Sequence, residues 1–153
     1  PHVVVEPSIG VSRALLAVLT EAYQESAERG NIILKLDRKL VPIQVAVFPL
    51  VNKVHDKARE VYDLIKDQFI VQYDKSGSVG KRYARYDETG VPICVTVDFE
   101  DGVTLRDRDT AQQYRVALDE LSYVLFQYYA GKDLKDLAKK IEKNDLRSSK
   151  TLR

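Results

Sequence analysis

Apolar positions recur along this chain with two periods, and each change of period marks an element boundary. Val3 to Val5 is a short apolar run closed by Pro7, which removes a backbone donor, so a buried strand is predicted there. After Gly10, the positions Leu15, Val18, Leu19, Ala22 and Tyr23 return at helical spacing. They predict an amphipathic helix to about Ser26, capped by Ser8 or Ser12. Glu28-Arg29-Gly30-Asn31 interrupts the pattern, and residues 31–42 read as a linker ending at Pro42.

A second unit begins at Ile43. Ile43 to Phe48 is a nearly continuous apolar run, as expected of a strand covered on both faces, and Pro49 stops it. Val54, Ala58, Val61, Tyr62 and Ile65 mark one helical face to about Gln68. Phe69 to Tyr73 predicts another strand, and Asp74-Lys75-Ser76-Gly77 a turn. Lys81 to Glu88 reads as a helix ended at Gly90. Ile93, Val95, Val97 and Phe99 alternate with Cys94, Thr96 and Asp98, which predicts a strand with one face deeply buried. Asp101-Gly102 signals a reversal into Val103–Arg108, and Gln113 to Ala117 adds a further strand. Leu121, Val124, Leu125 and Tyr128 line a helix that Gly131 ends; Leu134, Leu137, Ala138 and Ile141 mark a short charged helix before a polar tail. This order implies an α/β fold: a mixed β-sheet flanked by helices.

The 153 residues allow one compact domain with appendages, and 44% hydrophobic with 31% charged residues excludes a disordered chain. The net charge of +1 hides an asymmetry: residues 132–153 carry eight Lys or Arg against four Asp or Glu, leaving −3 on the rest. A basic tail of this kind either meets a polyanion or is simply solvated. One cysteine, Cys94, excludes a disulfide framework and a cysteine-based zinc site, and with only His2 and His55 no metal centre is expected. In its apolar strand Cys94 reads as a small buried hydrophobe. Without a long apolar stretch or a cleavable signal, an intracellular chain with no membrane partner is expected. The absence of methionine is consistent with a piece of a longer protein.

Two stretches carry candidate chemistry. In the first, Glu6-Pro7-Ser8-Ile9-Gly10-Val11-Ser12-Arg13, a strand end meets a helix start, where unpaired N–H groups favour an anion. Glu6 can bind an ammonium, and Arg13 can grip a phosphate as a planar fork; alternatively Glu6 merely complements the helix and Arg13 forms a surface ion pair. In the second, Gly77-Ser78-Val79-Gly80-Lys81-Arg82-Tyr83-Ala84-Arg85-Tyr86-Asp87-Glu88-Thr89-Gly90, the glycine spacing is wrong for a nucleoside-triphosphatase loop, and Arg82 stands where a magnesium-binding hydroxyl is needed. What remains is Lys81, Arg82 and Arg85 interleaved with Tyr83 and Tyr86. That pattern suits single-stranded nucleic acid, or equally a charged helix face anchored to a sheet by tyrosines.

The first stretch resembles motif 3 of the class II aminoacyl-tRNA synthetases, in the Glu-Pro-Ser form of the glycyl-tRNA synthetase family. The second resembles that family's anticodon-binding domain: Lys81-Arg82-Tyr83 matches its basic pair and tyrosine, and Asp87-Glu88-Thr89-Gly90 its aspartate-glutamate-x-glycine. Val95-Thr96-Val97-Asp98-Phe99 and Thr104-Leu105-Arg106-Asp107-Arg108-Asp109 resemble its final strands. Thr89 departs from the family's usual aliphatic residue, the loop Val51–His55 is short, and nothing from Gly131 onward matches.

The resemblance implies four segments. Residues 1–30 would be a strand–helix remnant of the catalytic domain, 31–42 a linker, 43–131 the anticodon-binding domain, and 132–153 a basic helix and tail. It implies a cytoplasmic ligase that joins glycine to tRNA(Gly) using ATP and Mg²⁺, a homodimer when full-length, with RNA rather than DNA as partner. Glu6 and Ser8 would line the glycine pocket, Glu6 and Arg13 would face ATP, and Arg13 would act in catalysis. Lys81, Arg82, Arg85, Asp87, Glu88, Arg106 and Arg108 would meet the anticodon, although Arg106 and Arg108 could instead belong to a structural network. Motifs 1 and 2 are not in the chain, so by itself it is expected to be inactive and to need no cofactor. The competing expectation is a non-catalytic RNA-binding or accessory protein on the same fold.

Overall fold

The computed structural model describes His2 and residues 5–141. Val3 and Val4 of the expected first strand, and most of the basic tail, lie outside the described residues. Residues 5–10 run as irregular chain into helix α1, Val11–Ala22. No side chain caps α1; its first turn closes on the Gly10 carbonyl, which accepts from the Ala14 N–H at 3.0 Å.

The helix ends earlier than its periodicity predicts. Tyr23 turns extended, and Tyr23–Ser26 forms strand β1, paired antiparallel with β2, Asn31–Leu34. Gly30, at φ +67°, supplies the left-handed residue that the intervening turn needs. The expected linker therefore opens with a strand. Its backbone groups are paired across a hairpin rather than left to solvent.

Six further strands make the central sheet, in the order β4-β3-β5-β6-β7-β8. They are β3 (Val45–Pro49), β4 (Val71–Tyr73), β5 (Ile93–Val97), β6 (Val103–Asp107), β7 (Gln113–Val116) and β8 (Lys139–Lys140). β3 runs parallel to both β4 and β5, and the remaining pairs are antiparallel. The mixed sheet inferred from element order is present. Between β3 and β4 lie a 3₁₀ turn, Asn52–Val54, and helix α2, His55–Ile65; α3, Val79–Glu88, joins β4 to β5. Helices α4, Leu121–Tyr129, and α5, Leu134–Leu137, follow β7.

The period of two divides the core. Val45, Val47, Ile93, Val95 and Val97 pack on one face with Ala58, Val61 and Ile65 of α2 and Leu121, Val124 and Leu125 of α4. Ala46, Phe48 and Cys94 pack on the other with Tyr86 of α3 and Val91. Each such fully buried aliphatic side chain contributes about 1.5–3 kcal/mol. Strand β5 is thus buried on both faces, not one, because α3 covers Cys94 and Thr96. Burial also pushes the Cys94 thiol well above its ordinary value, which suits an inert core residue.

The predicted charged helix at 134–141 is a single turn. Ala138 is extended, Lys139 and Lys140 add β8 to the sheet edge, and the Ile141 N–H donates to the Gln113 carbonyl at 2.9 Å. The unpaired edge of β7 recruits these residues. At the other end of the chain, α1 buries only Ala22, while Leu15 is 57% exposed and Leu16 65%. Among the described residues nothing covers that apolar face.

Candidate nucleic-acid interface

In open α/β sheets, ligands gather beyond the carboxyl ends of parallel strands, where successive connections diverge to opposite sides. Here that place is the edge formed by the ends of β3, β4 and β5, with the loops 50–54, 74–78 and 98–102. In the second loop, Asp74 accepts the Ser76 N–H at 2.7 Å and pairs with Arg85. Ser78 caps α3 by accepting from the Lys81 N–H at 3.4 Å. Lys81 and Arg85 stand exposed on the first two turns of that helix.

The third loop presents Phe99, 67% exposed, on a fixed base. Arg115 holds Asp98 with two bonds, 3.1 and 2.9 Å, and Glu100 with one at 2.5 Å. Lys57 on α2 donates to the Glu100 carbonyl at 2.6 Å. An exposed ring on a braced hairpin can stack a base, and exposed cations can meet phosphates. Sequence periodicity had placed Phe99 on the buried face of β5. The strand stops at Val97, so the ring turns outward.

Arg82, on the same turn as Lys81, faces inward and is only 4% exposed. Its guanidinium donates to the Pro49 carbonyl at 2.6 Å and lies 5.2 Å from the Phe48 ring centroid. Burial lowers its pKa, against the opposing charge of Asp74.

Four other expected contacts lie toward the opposite end of the sheet. Asp87, 1% exposed, receives both terminal nitrogens of Arg106 at 2.7 and 2.9 Å. Arg29 and Asn31 of the β1–β2 hairpin each approach the same carboxylate to 3.5 Å. Burial alone would lower the Arg106 pKa, but the bonds and charge of Asp87 outweigh it and raise it. Arg108 donates to the carbonyls of Gly90 at 2.8 Å and Leu36 at 2.9 Å. Its own carbonyl, with that of Asp109, accepts from Arg29 at 2.5 and 2.9 Å. Arg106 also lies 4.6 Å from the Tyr83 ring centroid; the Tyr83 hydroxyl bonds Thr96 at 2.7 Å, and burial pushes its pKa up to about 12.

The expected anticodon set divides into buried and exposed members. Arg82, Asp87, Arg106 and Arg108 are buried with interior partners and fasten the hairpin and helices to the sheet. Glu88 is exposed but ends α3, about 10 Å along the helix axis from Lys81. Lys81 and Arg85 alone remain at the carboxyl edge. Helical spacing could not separate these groups, because facing a sheet and facing solvent use the same period.

Glu6, Ser8 and Arg13 are all exposed. These three groups alone do not enclose a seat for ATP or glycine. Among the described residues, no group of three or more His, Cys, Asp or Glu side chains could hold a metal ion, and no helix is long and apolar enough to cross a membrane.

The family profile described as "Anticodon binding domain" matches residues 44–127, more than half the chain, and the chain belongs to that family. Among named proteins, it is 46% identical over 124 residues to the glycine–tRNA ligase of Clostridium kluyveri, covering 76% of this chain and 27% of that protein. It is 46% identical over 128 residues to that of Alkaliphilus metalliredigens (79% and 28%) and 47% over 134 residues to that of Rhodopirellula baltica (79% and 25%). The chain thus spans about a quarter of the length of these relatives.

Proposed function

We propose that this chain is part of a glycine–tRNA ligase and binds tRNA(Gly) through the domain at 44–127. The observation that carries this reading is the 46% identity to proteins of that name across the anticodon-binding region. The carboxyl edge supports it chemically: Lys81 and Arg85 meet backbone phosphates, and Phe99 stacks an unpaired base. The buried set of Arg82, Asp87, Arg106 and Arg108 keeps these groups in register.

The motif 3 resemblance extends the proposal to the intact enzyme. There Glu6 and Ser8 would line a glycine pocket, the Glu6 carboxylate would meet the ammonium, and Arg13 would hold negative charge on ATP. ATP, with Mg²⁺, would supply the energy of activation. Because the three residues are open to solvent, closing that pocket falls to parts of the enzyme outside this chain, and no activation step is assigned to it alone. The proposed setting is a cytoplasmic homodimer.

The test compares binding of tRNA(Gly) with that of the same tRNA carrying altered anticodon bases, at 150 mM salt. Preference of tenfold or more for the native anticodon is expected. Equal affinity for the two would refute anticodon reading, since phosphate contacts alone carry no sequence information.

A further inference from the structure

The face of the sheet covered by α2 and α4 carries a surface that the RNA reading does not use. A cleft of about 460 Å³ opens between the two helices, lined by Leu64, Leu118, Asp119 and Ser122. Leu64 is 46% exposed and Leu118 38%. Phe126, 51% exposed, stands one turn beyond Ser122 on the same side of α4, and its ring meets that of Phe69 at 4.9 Å. An apolar strip thus follows the outer junction of α2 and α4.

Carboxylates border this strip. Glu60 lies one turn before Leu64 on α2, Asp67 sits in the turn that follows the helix, and Asp119 lines the cleft itself. All three are exposed, and among the described residues none of them forms an ion pair. The nearby lysines of α2 and its following turn are held elsewhere: Lys57 donates to the Glu100 carbonyl at 2.6 Å, and Lys66 pairs with Asp63 at 2.5 Å. Asp67 follows the C-terminus of α2, where a negative charge is unfavourable to the helix, so helix stability does not account for it.

Single exposed apolar groups are ordinary, but a strip bordered by one sign of charge specifies what can cover it. A second copy brings the same carboxylates, so a two-fold contact through this face would set like charges together. RNA and anionic lipid carry the same sign as the border. The complement is apolar at its centre and positive at its edges.

We propose that the α2–α4 junction is a docking surface for a basic amphipathic helix of a partner protein. Its apolar residues, at i, i+4 and i+7, cover Leu64, Leu118 and Phe126, while flanking Lys or Arg meet Glu60, Asp67 and Asp119. A helix suits the place because a ridge of side chains four apart can lie in the groove between two helices. Helix α3, with Lys81 and Arg85, covers the opposite face of the sheet, so this partner leaves those cations free for RNA.

The probe is a labelled synthetic helix with Leu at those spacings and Lys on both flanks, titrated with the 153-residue chain by fluorescence anisotropy at near-physiological salt. One control peptide has the same residues in an order without helical periodicity; the other has Glu for every Lys. The Leu–Lys helix is expected to bind, and each control to bind about tenfold more weakly or worse. Leu64→Ser combined with Phe126→Ser should weaken the Leu–Lys helix about tenfold, with unfolding and anticodon-loop RNA affinity unchanged, since both side chains are exposed. A second variant, Glu60→Gln with Asp67→Asn and Asp119→Asn, keeps side-chain shape; it should weaken the helix and flatten the salt dependence of its binding.

A Leu–Lys helix that does not bind the wild type would overturn the docking surface. So would equal binding of the aperiodic control, which would leave only general charge attraction, or equal affinity for wild type and the Leu64→Ser, Phe126→Ser variant. Dimerisation of the chain, or binding to lipid vesicles, that this variant abolishes would assign the strip to a second copy or to a membrane instead. If the helix binds as expected and no RNA does, the docking surface stands and the RNA reading falls.

Discussion

At the scale of single residues, Asp87 shows how far context decides the worth of a charge. Its carboxylate joins α3, β6 and the β1–β2 hairpin through Arg106, Arg29 and Asn31. A buried pair of this kind is a modest gain over apolar packing, because desolvation offsets most of the attraction. Removing one member is another matter, since it strands the other charge in the core. Asp87→Ala should therefore destabilise the chain by about 3–5 kcal/mol, measured by urea unfolding. Amide exchange at Ile33 of β2 should accelerate beyond the global change, because the hairpin loses two of its ties to α3. Unaltered stability would mean that Arg106 finds water or another carboxylate.

At the scale of elements, the sequence carried the central strands almost whole. Continuous apolar runs at 43–48 and alternation at 93–99 located β3 and β5, and Asp101-Gly102 located the β5–β6 reversal. The short strands at either end were hidden. Tyr23 continues the helical period of α1 by coincidence, and Lys139-Lys140 has no strand preference of its own; a neighbouring strand recruits each pair. For the candidate site, the basic–aromatic stretch of α3 was legible, but not which of its cations turn inward. That depends on α3 lying against Phe48 and Cys94, a long-range fact.

Two glycines measure how tightly the elements are joined. A Cβ on Gly102, at φ +81°, would sit 2.3 Å from the Val116 carbonyl oxygen, whereas one on Gly30, at φ +67°, would meet nothing within 4 Å. Gly30→Ala should cost only the left-handed strain of about 1–2 kcal/mol. Gly102→Ala must also displace β7, so its urea midpoint should fall further than that of Gly30→Ala. An equal or smaller fall would contradict the packing of the β5–β6 turn against β7.

At the scale of the whole molecule, the two ends of the sheet differ in what they expose. The amino end of β5 is closed by Asp87, Arg106 and Arg108 and holds the N-terminal hairpin. The carboxyl end carries the exposed Lys81 and Arg85 on α3 and the exposed Phe99 on the β5–β6 loop. Salt dependence separates the two directly, because each phosphate contact to a single strand contributes about 0.7 to the slope of log K against log salt. Lys81→Ala should weaken binding of the anticodon-loop RNA and flatten that slope by about 0.7. Glu88→Ala removes a charge from the far end of the same helix, about 10 Å away, and should leave the slope unchanged. Both residues are exposed, so neither substitution should move unfolding by more than about 0.5 kcal/mol, and the comparison reports position rather than folding. Equal slopes for Lys81→Ala and wild type would move the RNA off this edge. A change confined to Glu88→Ala would place the RNA at the end of α3 beside the hairpin.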